Sequence, residues 1–131
     1  MPPTAKRVLC VDGNNDTCEI LTTLLGVEGY ETRAAGGVGA ALTLASAEKF
    51  DLVIVTTPLP DGEGLGLCRL LRACAPGAAI LIYSLHPYEP PRAEALAAGA
   101  HEYLFNNGDT EKFMAVVRRL TLDRVLSSLP Y

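Results

Sequence analysis

Short apolar runs, each followed by a segment patterned for a helix, recur five times along this chain, and that alternation limits the folds open to it. The first run, "RVLCVD" over 7–12, is continuous and rich in strand-forming residues, which suits a strand covered on both faces. "NNDTCEILTTLLGVEG" follows, with a capping run at Asn14 to Asp16, apolar Cys18, Leu21 and Leu25 at i, i+3 and i+7, and Gly29 as a stop. The same pairing reappears as "YETRAA" with "VGAALTLASAEKF", "DLVIVTT" with "LGLCRLLRACAPG", "AAILIYS" with "PPRAEALAAG", and "EYLF" with "TEKFMAVVRRLTLDRVL". In the last helix Phe113, Val116, Val117 and Leu120 mark one face. Strands alternating with helices through short connections require parallel strands and right-handed crossovers, so the chain is expected to form a doubly wound α/β sheet with helices on both faces.

In such a sheet every strand ends on the same edge, where ligands and chemistry collect. Asp12, Thr56, Ser84, His86 and the stretch from Phe105 to Asn107 are expected there, and His101 at the opposite edge, so the two histidines cannot cooperate. The third run stops at Thr56 and Thr57 and gives way to "PLPDGEG", which raises the question of what those hydroxyls present.

Length and composition narrow the function. A chain of 131 residues fits a single domain, 1–131, with its core from about 7 to 126 and with Met1 to Ala5 and the last few residues frayed. A net charge of −4 lacks the basic footprint of a phosphate-backbone binder, so no nucleic-acid partner is expected. The longest apolar stretches fall far short of the roughly 20 residues of a membrane span and no signal peptide opens the chain, so the expectation is a cytoplasmic protein without a membrane partner. Cys10, Cys18, Cys68 and Cys74 form no CxxC pair and fall on apolar faces, as core thiols do.

Motifs for common chemistries are missing. "DGNND" offers one glycine after the first strand, too few for a dinucleotide fingerprint, and no GxxxxGK[ST] is present. Ser84 and His86 share "YSLHP" without a GxSxG elbow. Asp12 with Asp61 or Glu63 could converge on a divalent cation, although acids beside glycine and proline ordinarily form solvated turns. No nucleophile and base can be named, and the chain is read as a non-enzyme.

Four stretches together resemble the response-regulator receiver domain, the phosphoacceptor module of two-component signalling. They are "RVLCVDGNND", "GVEGYETRAAGG", "FDLVIVTTPLPDGEGLGLCRLLR" and "AGAHEYLFNNGD", and they span about 7–120 without large gaps. The resemblance implies a flavodoxin-like (βα)5 sheet of strand order 2-1-3-4-5. It also implies a set of site positions. Of the two acids that organise Mg²⁺, Asp12 matches the first and Gly13 stands at the second. The phosphoacceptor aspartate falls at Thr56, the lysine that contacts the acyl phosphate at Asn106, and the proline after it at Asn107. Ser84 retains the hydroxyl position on the fourth strand, and Tyr103 the aromatic switch position on the fifth.

The chain therefore reads as an atypical member that lacks the phosphoacceptor aspartate. Aspartyl phosphorylation needs a carboxylate nucleophile and cations that neutralise the phosphoryl charge. One carboxylate rarely holds Mg²⁺ against its reluctance to dehydrate, so Mg²⁺ binding is expected to be weak or absent, with no other cofactor. Thr56 is expected to hydrogen-bond within the pocket, with Ser84 or Asn106 as partners. The leading expectation is a phosphorylation-independent protein-interaction module with no output domain after residue 131, whose partner is a histidine kinase or a downstream effector. The resemblance implies that its contact surface is the fourth helix, fifth strand and fifth helix, with Tyr103 at the edge and Arg118, Arg119 and Arg124 nearby; a homodimer through that surface is a further expectation. Alternatives are a phosphorelay receiver using Asp61 as a displaced acceptor, and a small-ligand sensor using the uncharged pocket of Thr56, Ser84 and Asn106.

Overall fold

The computed structural model describes residues 5–127, with side chains as far as 122; apart from Ala5, the ends expected to fray lie outside this range. Ten elements alternate: β1 (Arg7–Val11), α1 (Asn15–Val27), β2 (Glu31–Ala35), α2 (Val38–Ala47), β3 (Leu52–Thr57), α3 (Gly64–Cys74), β4 (Ala79–Ser84), α4 (Arg92–Ala97), β5 (Glu102–Phe105) and α5 (Thr110–Ser127). All four strand pairings are parallel, in the order β2-β1-β3-β4-β5, as the sequence pattern requires.

Period-two alternation divides the core between the two faces of the sheet. Leu9, Val11, Val53, Val55, Ile80 and Ile82 face α2, α3 and α4. Val8, Cys10, Leu52, Ile54, Leu81 and Tyr83 face α1 and α5. Burying both faces is what makes β1, β3 and β4 continuous apolar runs rather than alternating ones. On the α5 side Phe113 stacks on Tyr83 with ring centroids 4.8 Å apart, and Val117 and Leu120 continue the buried stripe. Cys18, Leu21 and Leu25 form the buried stripe of α1, whose amino end is capped by Asn14 Oδ1 accepting from the Thr17 N–H at 3.0 Å. Gly29, at φ 93°, supplies the left-handed turn that leads from α1 into β2.

One expectation changes. Cys74 is exposed, unlike Cys10, Cys18 and Cys68; it continues the apolar stripe of Leu67 and Leu71 but is the last residue of α3. β2 is largely exposed, because it is the outer strand on its side. Among the described residues no helix is long and apolar enough to cross a membrane.

Candidate functional site at the carboxyl edge of the sheet

The chain leaves β1 for β2 on one side and returns to place β3 on the other, so the strand order reverses between β1 and β3. The carboxyl ends of those two strands form the crevice in which doubly wound sheets bind ligands. Asp12 and Thr56 stand there. Asp12 is 4% exposed; its N–H donates to the Ala35 carbonyl at 3.0 Å and its Oδ1 accepts from the Asn14 N–H at 2.8 Å. Its Oδ2 is buried with no partner. Asp12 thus ties the end of β1 to β2 and to the start of α1, and keeps one oxygen unused.

Thr56 Oγ1 donates to the Val11 carbonyl at 2.9 Å. This corrects the expected partner: neither Ser84 nor Asn106 takes that proton. The reason lies in the sheet, since β1 neighbours β3 and brings a backbone acceptor to the hydroxyl, while Ser84 pairs with Thr57, the residue of opposite parity. Ser84, fully buried, bonds its own loop instead: its Oγ lies 2.6 Å from both the His86 and Glu89 carbonyls and accepts from the His86 N–H. One hydroxyl proton serves one of those carbonyls at a time. The His86 imidazole is not among these partners. Asn106 donates its backbone N–H to the Ser84 carbonyl at 2.7 Å, and its Oδ1 accepts from the Gly108 N–H. Asn107 and Asp109 act alike: Asn107 Oδ1 accepts from the Asp109 N–H and Asp109 Oδ1 from the Lys112 N–H, which caps the first turn of α5.

The acids of the β3–α3 loop do not join Asp12. Asp61 reaches across to the amino end of α2, where Oδ1 accepts from the Val38 N–H at 2.7 Å and Oδ2 from the Gly39 N–H at 3.2 Å. The N-cap of α2 is Gly37, which has no side chain to cap it, and Asp61 supplies the missing acceptor from another loop. Those two backbone donors hold the Asp61 carboxyl below its ordinary range. A Cβ on Gly37 would run into the same carboxylate. Gly13 is constrained in the same way by a different neighbour: a Cβ there would lie 2.6 Å from Cδ of Pro60. Among the described residues no group of three or more histidine, cysteine or acidic side chains could hold a metal ion.

Beside this crevice lies the surface of α4, β5 and α5. Tyr103 is buried, packed with the α2–α4 side of the core, and its hydroxyl has no partner. Glu102 sits beneath it as a clamp: Oε1 pairs with Arg92 of α4 at 2.9 Å and Oε2 with Arg119 of α5 at 2.6 Å. Burial acts to raise the Glu102 carboxyl, but the Tyr103 N–H, Arg119 and Arg92 together bring it below its usual value. Arg118 does not belong to this surface. It turns toward α1 and pairs with Glu28 at 3.2 Å, because successive helix positions differ by about 100° in direction. The Arg124 side chain lies outside the described residues.

Sequence reasoning found Asp12, Thr56 and Ser84 at the correct edge but missed the Gly13–Pro60 contact and the capping role of Asp61. Both depend on how far one loop reaches over another. The glycine at the start of α2 facing an unassigned loop acid was the one available signal for Asp61.

Comparison with known proteins agrees with this architecture. The family model for the response regulator receiver domain matches residues 8–118. The DNA-binding response regulator MtrA of Mycolicibacterium smegmatis is 31% identical over 113 residues, covering 86% of this chain and 49% of that protein. The chain therefore spans about half the length of such curated relatives. A CheY-like receiver domain protein from Methanospirillum hungatei superposes with a TM-score of 0.90 at 23% identity, covering 95% of this chain and all of that one. The response regulator TrrA from Thermotoga maritima, solved in complex with Mg²⁺ and BeF, gives a TM-score of 0.80 at 27% identity, covering 88% of this chain and 98% of that one. The chain belongs to the response regulator receiver domain family, and its sheet is the flavodoxin-like one expected of it.

Proposed function

We propose that this receiver domain works in two-component signalling as a phosphorylation-independent interaction module: a single cytoplasmic domain that binds a histidine kinase or a downstream effector and performs no catalysis. The observation that carries the reading is the hydrogen bond from Thr56 Oγ1 to the Val11 carbonyl. At the position where the family resemblance puts the phosphoacceptor stands a hydroxyl that donates its proton to a backbone carbonyl rather than to a base that would activate it.

The surrounding groups support the same reading. A receiver's Mg²⁺ needs several converging oxygens. Here Asp12 offers one free oxygen, Gly13 offers no side chain, and Pro60 fills the space an acid at 13 would need. These residues do not fit the ion. Asn106 in place of lysine brings no positive charge, so phosphoryl transfer would proceed without either neutralising cation. Asp61 is a poor displaced acceptor, since both its oxygens serve the amino end of α2. A sensor pocket around Thr56, Ser84 and Asn106 finds equally little support, because each of the three turns a side-chain oxygen to nearby backbone.

Signalling without phosphotransfer leaves the surface to act, and α4, β5 and α5 present one held in register by Arg92, Glu102 and Arg119. Leu96 of α4 and Leu122 of α5 are exposed apolar side chains on the two helices that border it, which suits a partner or a second copy of the chain. Intact mass after incubation with a small phosphodonor and Mg²⁺ tests the reading. It predicts an unchanged mass, and a labile gain of one phosphoryl group would contradict it.

A further inference from the structure

A groove of about 410 Å³ runs between the β3–α3 and β4–α4 loops, on the side of the carboxyl edge away from Asp12. Pro58, Leu59, Leu65 and Pro90 give it an apolar wall. Three carboxylates, Glu63, Glu89 and Glu94, stand around it, and the lining contains no lysine or arginine. The ion pairs of the described residues use Glu28, Glu31, Glu48, Asp51 and Glu102 and none of these three.

Two further features lie in the same groove. Thr57, 5% exposed, forms part of the lining, and its hydroxyl has no hydrogen-bond partner. The Thr57 methyl is pressed toward Gly64, where an added Cβ would come within 2.5 Å of it. α3 also begins at this groove, and the side chain of its N-cap residue, Glu63, caps none of the first N–H groups. Buried hydroxyls and first-turn N–H groups normally find partners. Here the acceptors and donors are arranged around an apolar wall.

We propose that this groove docks an extended segment of a partner protein that carries arginine or lysine on either side of an apolar residue. The apolar side chain packs on Leu59 and Leu65, and the cationic groups lie against Glu63, Glu89 and Glu94. A peptide carbonyl takes first-turn N–H groups of α3 that the Glu63 side chain leaves uncapped. Charge complementarity selects this occupant: three carboxylates without a counter-charge repel an acidic segment and attract a basic one. The proposal rests on the interaction role above and adds the chemistry of a partner, on a surface distinct from α4, β5 and α5.

The probe is an end-blocked Leu-Arg-Leu-Arg-Leu peptide, titrated into the full chain by amide NMR beside its Leu-Glu-Leu-Glu-Leu counterpart. The expected result is saturable shifts at Gly62, Gly64, Leu65 and His86 with the basic peptide alone, weakening as salt is raised. Exchanging exposed acids, Glu89→Lys with Glu94→Lys, should weaken binding by about tenfold or more, while Glu19→Lys on α1 should leave it unchanged. Absence of shifts, or equal shifts with both peptides, overturns the proposal. So do shifts at these residues with Mg²⁺ alone, which would mark a small-cation site, or on concentrating the protein alone, which would mark a second copy. Each of those failures leaves the phosphodonor result untouched, so the two readings fail separately.

Discussion

Whether residue 13 carries an acid decides whether a receiver crevice can gather charge, and here the answer is set by Pro60. The Gly13 backbone lies so near the proline ring that an added Cβ would approach Cδ to 2.6 Å, well inside van der Waals contact. Gly13→Asp should therefore destabilise the fold by about 1–3 kcal/mol, as overpacking does. Urea unfolding measures the cost, and Gly13→Asp combined with Pro60→Ala should recover a large part of it. Equal stability of Gly13→Asp and the wild type would mean that the loop moves freely and that the second acidic position is open. Asp12 and Thr56 were legible from the sequence as members of this edge. Their partners were not, because a strand pattern tells which residues end a strand and not which carbonyl a hydroxyl will meet across the sheet.

Elements were the most legible level. Continuous apolar runs gave β1, β3 and β4, and the i, i+3, i+7 spacing gave the buried stripe of α1, because burial on fixed faces leaves a period in the sequence. Connections between elements left no such trace. Asp61 caps α2 from a distant loop, and Arg118 and Arg119, neighbours in sequence, reach for different elements. The Asp61 contact has a pH signature. Its carboxyl is held below the ordinary value in the folded state, so its contribution to stability is fully present above about pH 4, the unfolded value. That contribution is lost as pH falls through the lower folded value. Asp61→Asn should accordingly lower the urea midpoint at pH 7, and the difference from wild type should shrink by pH 3. A difference that stayed constant with pH would remove the helix-capping charge from the account.

At the scale of the whole molecule, the sheet and its two apolar layers are those of the family, while the crevice at the β1–β3 switch point is arranged around backbone hydrogen bonds. The two are compatible because the fold is held by burial on both faces of the sheet, which the edge residues do not alter. A phosphorylated receiver couples its site to distant surfaces through charge added at that edge. On the reading proposed above this edge takes no such charge, and Tyr103 lies buried beside the Arg92–Glu102–Arg119 clamp. The most direct measurement is an amide NMR spectrum recorded as Mg²⁺ and then beryllofluoride, a mimic of the aspartyl phosphoryl group, are added. The account predicts that the resonances of Asp12, Thr56, Ser84 and Tyr103 stay in place through millimolar metal and beryllofluoride. Saturable shifts that begin at Asp12 and Thr56 and extend to Tyr103 would contradict it and make the domain a conventional phosphorylation switch.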